Sequence, residues 1–503
     1  MGVLKFRLTP PDLPIKVPDL RKAYVTGLDR TPGRSSVELR PGLLMCHRDS
    51  TESGRLHVPW PVPGFGEPVI STATLSDRFT TYDLGVELAR GKLNDVLNQT
   101  SDWRQMGLIV PEEVEILVGR ARANLAKAVT SRDLPDRAAA TATKSLEASC
   151  SAAHALVTSY TSQLMRRRLE HSAPLPTLLA CGLEGAPKAT AWSPKLREVF
   201  HAGRVKLCWS SIAPDEGKKR WDEADAQVHW CRKQGLTVTA GPLLEFRAGA
   251  IPDWLWLWEG DFEEIQSQAV EFVKQTITRY RGKVSAWHLV HRAAAYDILG
   301  LTEEEQIRLT AQIVQVARRL DPDTHLVVDF DRPWAEWMAS GKFQLGPLHL
   351  ADSLARAELG LGGIGLEIAP GYSQVGSHLR DLLDFSRLLD LFALVNLPLH
   401  VSFALPSSAD ADPQADEKIH VDAIQWPRRP DERLQSEWAA SWVALAAAKP
   451  FVRSITWLQG GDQSPHLFPH AGLFRPDGTA KPAFAWLHEF RERISKPPDR
   501  GEV

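Results

Sequence analysis

Residues 280–292 read YRGKVSAWHLVHR and join two elements whose order decides the fold. Before this stretch, apolar side chains recur with the period of a helix, at Ile265, Phe272 and Ile277, which predicts an amphipathic helix that ends where the stretch begins. Within it, the short apolar run 284–287 predicts a buried strand. A helix followed at once by a buried strand is typical of folds in which helices cover a parallel sheet.

The same alternation of apolar run and amphipathic helix runs through about the last two-thirds of the chain. Eight such units over 177–490 predict an α/β protein with a closed parallel (β/α)8 TIM barrel. One of the helices is predicted to open with a capping box formed by Thr302 and Glu305. The runs predicted as barrel strands one to eight are 178–180, 205–207, 236–238, 284–287, 326–328, 364–366, 399–401 and 454–457.

The first third of the chain differs from the barrel in its pattern. Residues 1–80 are rich in Pro and Gly and contain short alternating runs such as 36–39, which predicts a small antiparallel β unit. A sugar-binding β-sandwich and a structural β cap packed on the barrel both agree with that pattern. Residues 81–171 carry apolar side chains at helical spacing and are predicted to form a helical segment. Residues 491–503 are predicted to be a disordered tail.

The composition excludes several classes of protein. The chain has 503 residues, 43% of them hydrophobic and 24% charged, which is typical of a soluble globular protein with two or three domains. The net charge of −3 favours neither a nucleic-acid nor a membrane partner. No apolar run reaches the roughly 18 residues of a membrane span, and the first residues lack the apolar core of a secretory signal. The five cysteines form no CxxC pair, so we expect reduced thiols, no metal, no cofactor and a cytoplasmic location, with the oligomeric state open.

Five short strings follow one another along the last two-thirds of the chain: WSSIAPDEGKKRWDEAD at 209–225, PDWL at 252–255, YRGKVSAW at 280–287, GIGL at 363–366 and LFRPDGTAKPAF at 473–484. In this order, and each at its expected strand, they resemble glycoside hydrolase family 10, the xylanase family of (β/α)8 barrels. The resemblance implies an O-glycosyl hydrolase of the endo-1,4-β-xylanase type that acts on a β-1,4-xylan-type polysaccharide or oligosaccharide. It also implies a site at the carboxyl ends of the strands.

The resemblance places Arg292 and Phe403 at the two positions where the family carries its catalytic glutamates. A retaining glycosidase needs two carboxylates across the scissile bond, and an arginine does not release a proton near neutral pH. No Asp or Glu lies between Asp390 and Asp410, so a shift of the alignment by one residue does not restore the nucleophile. We therefore expect the family's retaining mechanism to be absent and the barrel to be a pseudoenzyme or a re-equipped enzyme.

Two carboxylates are candidates for a replacement chemistry. Glu245 and Glu367 are predicted at the ends of strands three and six, nearly opposite each other, and an inverting mechanism could use such a pair. The alternative is that each carboxylate forms an ion pair with a nearby base, such as Arg247 or Arg292, because buried charges are normally paired.

Basic and aromatic residues are candidates for substrate binding. His291, Arg292 and Arg247 stand where the resembled family has acidic or neutral residues, which predicts a pocket for an anionic or modified sugar. Trp457 and Trp254 match positions where the family carries tryptophan, and a tryptophan ring can stack on a sugar. For Trp254, a hydrophobic lid fits equally well.

The remaining polar residues at the predicted strand ends give weaker signals. Glu184, Asp329 and Asp331 add carboxylates, but no His accompanies them at close spacing, so we expect no metal site. His466 and His470 lie in a Pro-containing loop after strand eight and are expected at the loop surface.

Two classes of function agree with the sequence. The first is a glycoside hydrolase family 10-like protein that acts on or binds carbohydrate, either degenerate or re-equipped around Glu367 and Glu245. The second is a non-catalytic carbohydrate-binding or scaffold protein on a degenerate barrel. Two facing carboxylates in an open pocket would favour the enzyme. A pocket filled by Phe403 and Arg292 would favour the scaffold.

Overall fold

Eight parallel strands follow one another in chain order around a closed ring. The computed structural model describes residues 2–13, 17–77, 80–131, 133–183, 192–294 and 296–497. Each barrel strand pairs with the next, and strand eight pairs with strand one, which confirms the predicted (β/α)8 barrel. Strands one to eight span Leu178–Gly182, Ala202–Val205, Thr237–Ala240, Ala286–His291, His325–Phe330, Gly363–Ile368, Leu399–Phe403 and Val452–Trp457.

Strand three is interrupted where its neighbour passes closely. It stops at Ala240, and the short strand Leu244–Glu245 then resumes the pairing with strand four. Between the two lies Gly241, where a Cβ atom would stand 2.1 Å from the carbonyl oxygen of His288, so only glycine fits there. This interruption places Glu245 beside the end of strand four.

Amphipathic helices cover the outside of the barrel. The helix Glu303–Leu320 begins with the predicted capping box, in which Thr302 and Glu305 bond each other's backbone N–H groups. The last helix reaches Ile494, so residues 491–494 are helical and the predicted disordered tail is wrong there; residues 498–503 lie outside the described part of the chain. The barrel helices span Leu196–Val199, Trp209–Ile212, Asp222–Lys233, Phe262–Tyr280, Glu303–Leu320, Pro347–Arg356, Leu382–Ala393, Glu432–Ala448 and Pro482–Ile494.

The N-terminal region is a β unit of two sheets, as its alternating pattern predicts. One sheet has four strands, Ser35–Arg40, Leu43–Arg48, Gly2–Arg7 and Tyr82–Asp83, and the other has three, Tyr24–Thr26, Arg55–Pro59 and Val69–Ser71. Three helices follow, Leu84–Gln105, Glu112–Thr130 and Pro135–His171. Side chains of both sheets and of these helices share one hydrophobic core, for example Leu4, Leu56, Leu88 and Leu146. The division into domains at 1–80, 81–171 and 177–490 remains a prediction.

The N-terminal region is attached to the side of the barrel. The long helix Pro135–His171 packs against the barrel helices Leu382–Ala393 and Glu432–Ala448, and Arg168 donates to the carbonyl oxygen of Lys449 at 3.2 Å. The β unit bonds the barrel through backbone contacts that come from loops after strands six and seven. Among the described residues, no helix is both long enough and apolar enough to cross a membrane.

Candidate functional site at the barrel mouth

The carboxyl ends of the barrel strands surround a small polar cavity, called here the mouth cavity. Its volume is about 80 Å³, below the roughly 300–1,000 Å³ that is usual for small-molecule pockets. It brings together four of the predicted site residues, which come from the ends of strands three, four and six. Its polar lining includes Glu245, Arg247, His291, Glu367, Arg204 and Lys206.

Arg292 stands behind this cavity and binds three carboxylates at once. It follows strand four with a left-handed φ of 59°, and its side chain is completely buried. Nε donates to Glu245 Oε1 at 3.1 Å, Nη2 to Glu367 Oε1 at 3.0 Å, and Nη1 to Asp331 Oδ2 at 3.0 Å and to Tyr296 Oη at 2.7 Å. Carboxylates from strands three and six and from the end of strand five are thereby held around one guanidinium group.

Each of these carboxylates also has a second basic neighbour. Arg247 Nε donates to Glu245 Oε1 at 2.8 Å, His291 Nε2 lies 3.3 Å from Glu367 Oε2, and Arg332 Nε donates to Asp331 Oδ2 at 3.1 Å. Three guanidinium groups and three carboxylates therefore balance whenever His291 is neutral. Glu245 and Glu367 are therefore both held in ion pairs, which is the second of the two interpretations that the sequence allows.

Burial and the neighbouring bases shift the pKa values of these carboxyl groups in opposite directions. Burial raises the pKa of Glu245, but Arg247 and Arg292 outweigh it, so that pKa lies below its usual range. At Glu367 burial prevails over Arg292 and His291, and the pKa is raised. At Asp331 the attraction of Arg292 and Arg332 exceeds the effect of burial and lowers the pKa. Two carboxyl groups on one cavity thus differ in their tendency to hold a proton.

A second charged cluster lies in the barrel interior. Asp329 on strand five accepts from His288 Nδ1 at 2.8 Å and from Arg204 Nη2 at 3.3 Å. His400 on strand seven contacts Ser454 Oγ through Nδ1 at 2.7 Å. Asp329 and Asp331 are thus engaged in separate ion pairs. Within the described part of the chain, no group of three or more His, Cys, Asp or Glu side chains is arranged to hold a metal ion.

Phe403 faces away from the mouth. Its ring is completely buried and meets the ring of Phe385 edge-on, with centroids 6.0 Å apart, and Phe385 stacks on Trp442. Both partners belong to outer helices, so Phe403 does not fill the mouth cavity, and the observation that would have favoured the scaffold is not made for this residue. Alternation along strand seven instead turns His400 and Ser402 toward the interior, where Arg204 Nη1 donates to Ser402 Oγ at 3.2 Å.

The two predicted sugar platforms lie apart from the mouth cavity. Trp457 is only 2% exposed and donates its indole N–H to the carbonyl oxygen of Ala471, so in this arrangement it offers no free face for stacking. Trp254 is half-buried, donates to the carbonyl oxygen of Ala213 and meets Trp209 edge-on. Neither ring lines the cavity that contains Glu245 and Glu367. Their roles in binding remain predictions.

Several contributors were not foreseen from the sequence. Arg204 could have been noticed, because it is a charged residue inside a short buried strand, whereas nothing in the sequence pointed to Tyr296. His466 is buried, and its Nε2 lies 2.9 Å from Asp412 Oδ2, so the prediction of a surface position is wrong for this residue. His470 is partly exposed and also contacts Asp412. Glu184 lies outside the described residues.

Comparison with known proteins agrees with this architecture. A family model described as glycosyl hydrolase family 10 matches residues 199–340, from strand two to the loop after strand five. Endo-1,4-beta-xylanase B of Thermotoga neapolitana is 21% identical over 207 residues, which cover 39% of this chain and only 55% of that xylanase.

Solved structures with similar barrels include two xylanases. Native xylanase 10B from Thermotoga maritima is 17% identical, with a TM-score of 0.49, over 65% of this chain and 98% of that one. Xylanase 10B from Thermotoga petrophila RKU-1, in complex with xylobiose, is 16% identical, with a TM-score of 0.48, over 66% of this chain and 98% of that one. From the family-model match and the closed ring of strands, we conclude that about the last two-thirds of the chain forms a glycoside hydrolase family 10-like (β/α)8 barrel.

Proposed function

We propose that this protein binds carbohydrate on the carboxyl-terminal face of its barrel and does not perform the retaining hydrolysis typical of xylanases. The observation that carries the proposal is the environment of Arg292, a buried cation that holds Glu245, Asp331 and Glu367. A retaining mechanism needs one carboxylate as nucleophile and another as proton donor. Arg292, at the position that the resemblance gives to the proton donor, keeps its proton because the surrounding carboxylates raise its pKa above the usual range despite burial.

The carboxylates at the mouth are poorly placed to replace the missing pair. Glu245 Oε1 accepts from both Arg247 and Arg292, so this oxygen already has two charged donors. Phe403 and its interior-facing neighbour Ser402 provide no carboxylate on strand seven. Carbohydrate remains the proposed ligand because the similar xylanase of Thermotoga petrophila is in complex with xylobiose. A β-1,4-xylan-type oligosaccharide is the first ligand to examine.

A second candidate function is a re-equipped hydrolase, and one observation favours it. The pKa of Glu367 is raised while that of Glu245 is lowered, and both side chains line the mouth cavity. A pair of carboxyl groups whose environments separate their pKa values is the arrangement that acid–base hydrolysis requires. In that case Glu367 would supply the proton and Glu245 would remain ionised, after Arg292 had released them to the substrate.

The proposed compartment is the cytoplasm. The five cysteines are buried and free, which agrees with a reducing environment. Thiol titration of the native and the unfolded protein checks this. Five reactive thiols after unfolding without reductant are expected, and fewer would indicate a disulfide.

Two assays on the purified full-length protein distinguish the functions. Sugar release is measured from xylan, other β-glycans, uronate-containing oligosaccharides and aryl glycosides, and binding of the same soluble sugars is measured by calorimetry. We expect binding without release. Release by the wild type that disappears in Glu367→Gln, but not in the surface variant Glu437→Gln, would instead establish the re-equipped hydrolase. Absence of both release and binding would contradict a carbohydrate function.

A further inference from the structure

A larger cavity opens beside the barrel mouth, between the N-terminal β unit and the loops after strands five to seven. We call it the lateral cleft. Its volume is about 610 Å³, within the roughly 300–1,000 Å³ of ligand pockets and several times that of the mouth cavity. Its lining includes Lys22, Ser36, Arg332, Trp337, Gln374 and His420.

The two walls of the lateral cleft are joined by direct bonds. The backbone N–H of Val69 donates to the carbonyl oxygen of Leu379 at 2.9 Å, and that of Glu67 donates to Gln425 at 2.9 Å. Arg380 Nη2 donates to the phenol oxygen of Tyr24 at 3.0 Å. Because both walls are fixed to each other before any ligand arrives, the ordering cost of binding is small.

The lining offers an aromatic ring next to polar groups. Trp337 is half-buried, meets Phe343 edge-on with ring centroids 5.7 Å apart, and belongs to the lining of the cleft. Gln374 is exposed, and its amide makes no hydrogen bond within the described part of the chain. Ser373 Oγ and His420 Nδ1 lie 3.0 Å apart at the same wall. An apolar ring face beside several convergent hydrogen-bonding groups suits a sugar, which has an apolar ring face and a polar rim.

Arg332 places a guanidinium group with spare donors in the lateral cleft, whose lining also contains the carboxylates of Glu336 and Asp422. Its Nε binds Asp331, but neither of its Nη groups forms a hydrogen bond with a residue that the structure describes. The guanidinium carbon lies 5.0 Å from the ring centre of Tyr296 and 5.9 Å from that of Trp337, which holds the fork in place. A planar fork with free N–H groups suits a carboxylate ligand.

The backbone at this lining is strained. Arg332 has a φ of 42° and Gln374 has a φ of 63°. Residues other than glycine rarely adopt this left-handed region of backbone conformation. Such conformations are retained mainly where the surrounding structure or a function requires them. Both residues belong to the lining of the cleft, as Trp337 does.

We propose that the lateral cleft binds an acidic oligosaccharide, with a uronate carboxylate on the Nη groups of Arg332 and a sugar ring against Trp337. This inference rests on the proposed carbohydrate-binding function and assigns it to the lateral cleft instead of the mouth cavity. Lys22 adds a further cation at the edge of the cleft, although it is also bonded to Asp19. Binding should therefore weaken as ionic strength rises.

The test is calorimetry on the full-length protein with an oligogalacturonate and a neutral xylo-oligosaccharide of matched length. Trp337→Ala should weaken the binding of both sugars by about tenfold, the value of one lost stacking contact. Arg332→Gln should weaken the binding of the acidic sugar only. Gln374→Ala leaves the charged cluster intact and should weaken the binding of both sugars. Trp486→Ala is the matched control, because that half-buried ring stacks on Phe490 in an outer helix. Urea unfolding of each variant verifies that it is folded.

The possible outcomes separate the inference from the function on which it rests. Binding that survives all three cleft substitutions but is lost in His291→Asn would place the sugar at the mouth cavity, overturning the inference and leaving the function intact. Equal affinity for the acidic and the neutral sugar would overturn the assignment of an acidic ligand. If the wild type binds neither sugar, both the inference and the proposed function fail.

Discussion

Arg292 behind the mouth cavity and Arg332 in the lateral cleft both bind Asp331, yet the two sites use their charged side chains in opposite ways. At the mouth, each of the three guanidinium nitrogens of Arg292 donates to a carboxylate or to Tyr296, and the free volume is about 80 Å³. In the lateral cleft, which encloses about 610 Å³, the Nη groups of Arg332 and the amide of Gln374 form no hydrogen bond with any residue that the structure describes. Polar groups that satisfy one another stabilise the fold, whereas groups without internal partners are available to a ligand.

The comparison also suggests what the charged residues of the mouth contribute to the fold. Three carboxylates at the strand ends would repel one another in a buried site, and Arg292 offsets that repulsion together with Arg247 and Arg332. A buried charge that loses its partner is costly, so the cluster persists once it has formed. The charged residues of the mouth are thereby structural in our interpretation, and the tests below examine that interpretation.

The largest expected effect is that of Arg292→Met. Removing the guanidinium leaves Glu245, Asp331 and Glu367 buried without their shared cation, and we expect a loss of about 3–5 kcal/mol in the free energy of unfolding. Urea denaturation followed by circular dichroism measures it. The control is Arg279→Met, which breaks an exposed pair with Asp225 and should cost about 1 kcal/mol or less. Equal losses in the two variants would show that the mouth cluster contributes no more than a surface pair.

The second prediction concerns pH and His400. Burial, His288 and Arg204 lower the pKa of His400 to about 3, with Asp329 opposing them. As the pH falls below about 6.5, His400 binds a proton in the unfolded chain but not in the folded chain. The folded state therefore has the full stabilisation from this group above pH 6.5 and loses it as the pH drops toward 3. The slope reaches about 1.4 kcal/mol per pH unit for this one group.

Denaturation curves between pH 7 and pH 4 measure that slope in the wild type and in His400→Gln. The substitution should remove the part of the slope that is due to His400. It should leave the part that is due to His288, whose pKa is also lowered by burial. An exposed histidine, His154, provides the control substitution. An unchanged slope in His400→Gln would mean that His400 is protonated in the folded protein.

The third prediction compares two neutralised carboxylates of the mouth. Because the pKa of Glu245 is lowered, its ionised form stabilises the folded state, and Glu245→Gln should reduce the free energy of unfolding by about 1–3 kcal/mol at pH 7. Because the pKa of Glu367 is raised, its ionised form is disfavoured by burial, and Glu367→Gln should cost less or even stabilise. Urea denaturation of both variants decides the order, and the reverse order would contradict the assigned directions.

The sequence predicted the barrel because its strands and helices are local patterns. Apolar runs and amphipathic helices alternate regardless of what happens at the strand ends. The boundaries moved where polar residues enter the interior: strand two lies at 202–205 and not at 205–207, since it contains the ion-paired Arg204, and strand four extends through the buried His288 to His291. In the sequence, a polar residue inside a barrel is interpreted as the end of a strand, because the partner that it binds on another strand is not yet known.

The sequence predicted several residues of the mouth cluster, but not the direction in which each side chain points. Glu245, Glu367, Arg247, Arg292 and His291 do come together, because all lie near carboxyl ends of barrel strands. The direction of Phe403 could not be read from the sequence, since a shift of one residue along a strand reverses the face that a side chain occupies. The lateral cleft could not be predicted at all, because its walls are joined by pairs as distant in sequence as Tyr24 and Arg380.

The smallest expected effect on stability belongs to the lateral cleft itself. Gln374 has a φ of 63°, so Gln374→Gly should relieve backbone strain, partly offset by the greater freedom of glycine in the unfolded chain. The net change should lie between zero and about 1 kcal/mol in the stabilising direction. Gln374→Val, whose branched side chain tolerates this φ poorly, should destabilise instead. If Gln374→Gly were destabilising by as much as the mouth substitutions, the Gln374 side chain would be part of the structural framework, and the contrast between a self-satisfied mouth and a cleft open to ligand would fail.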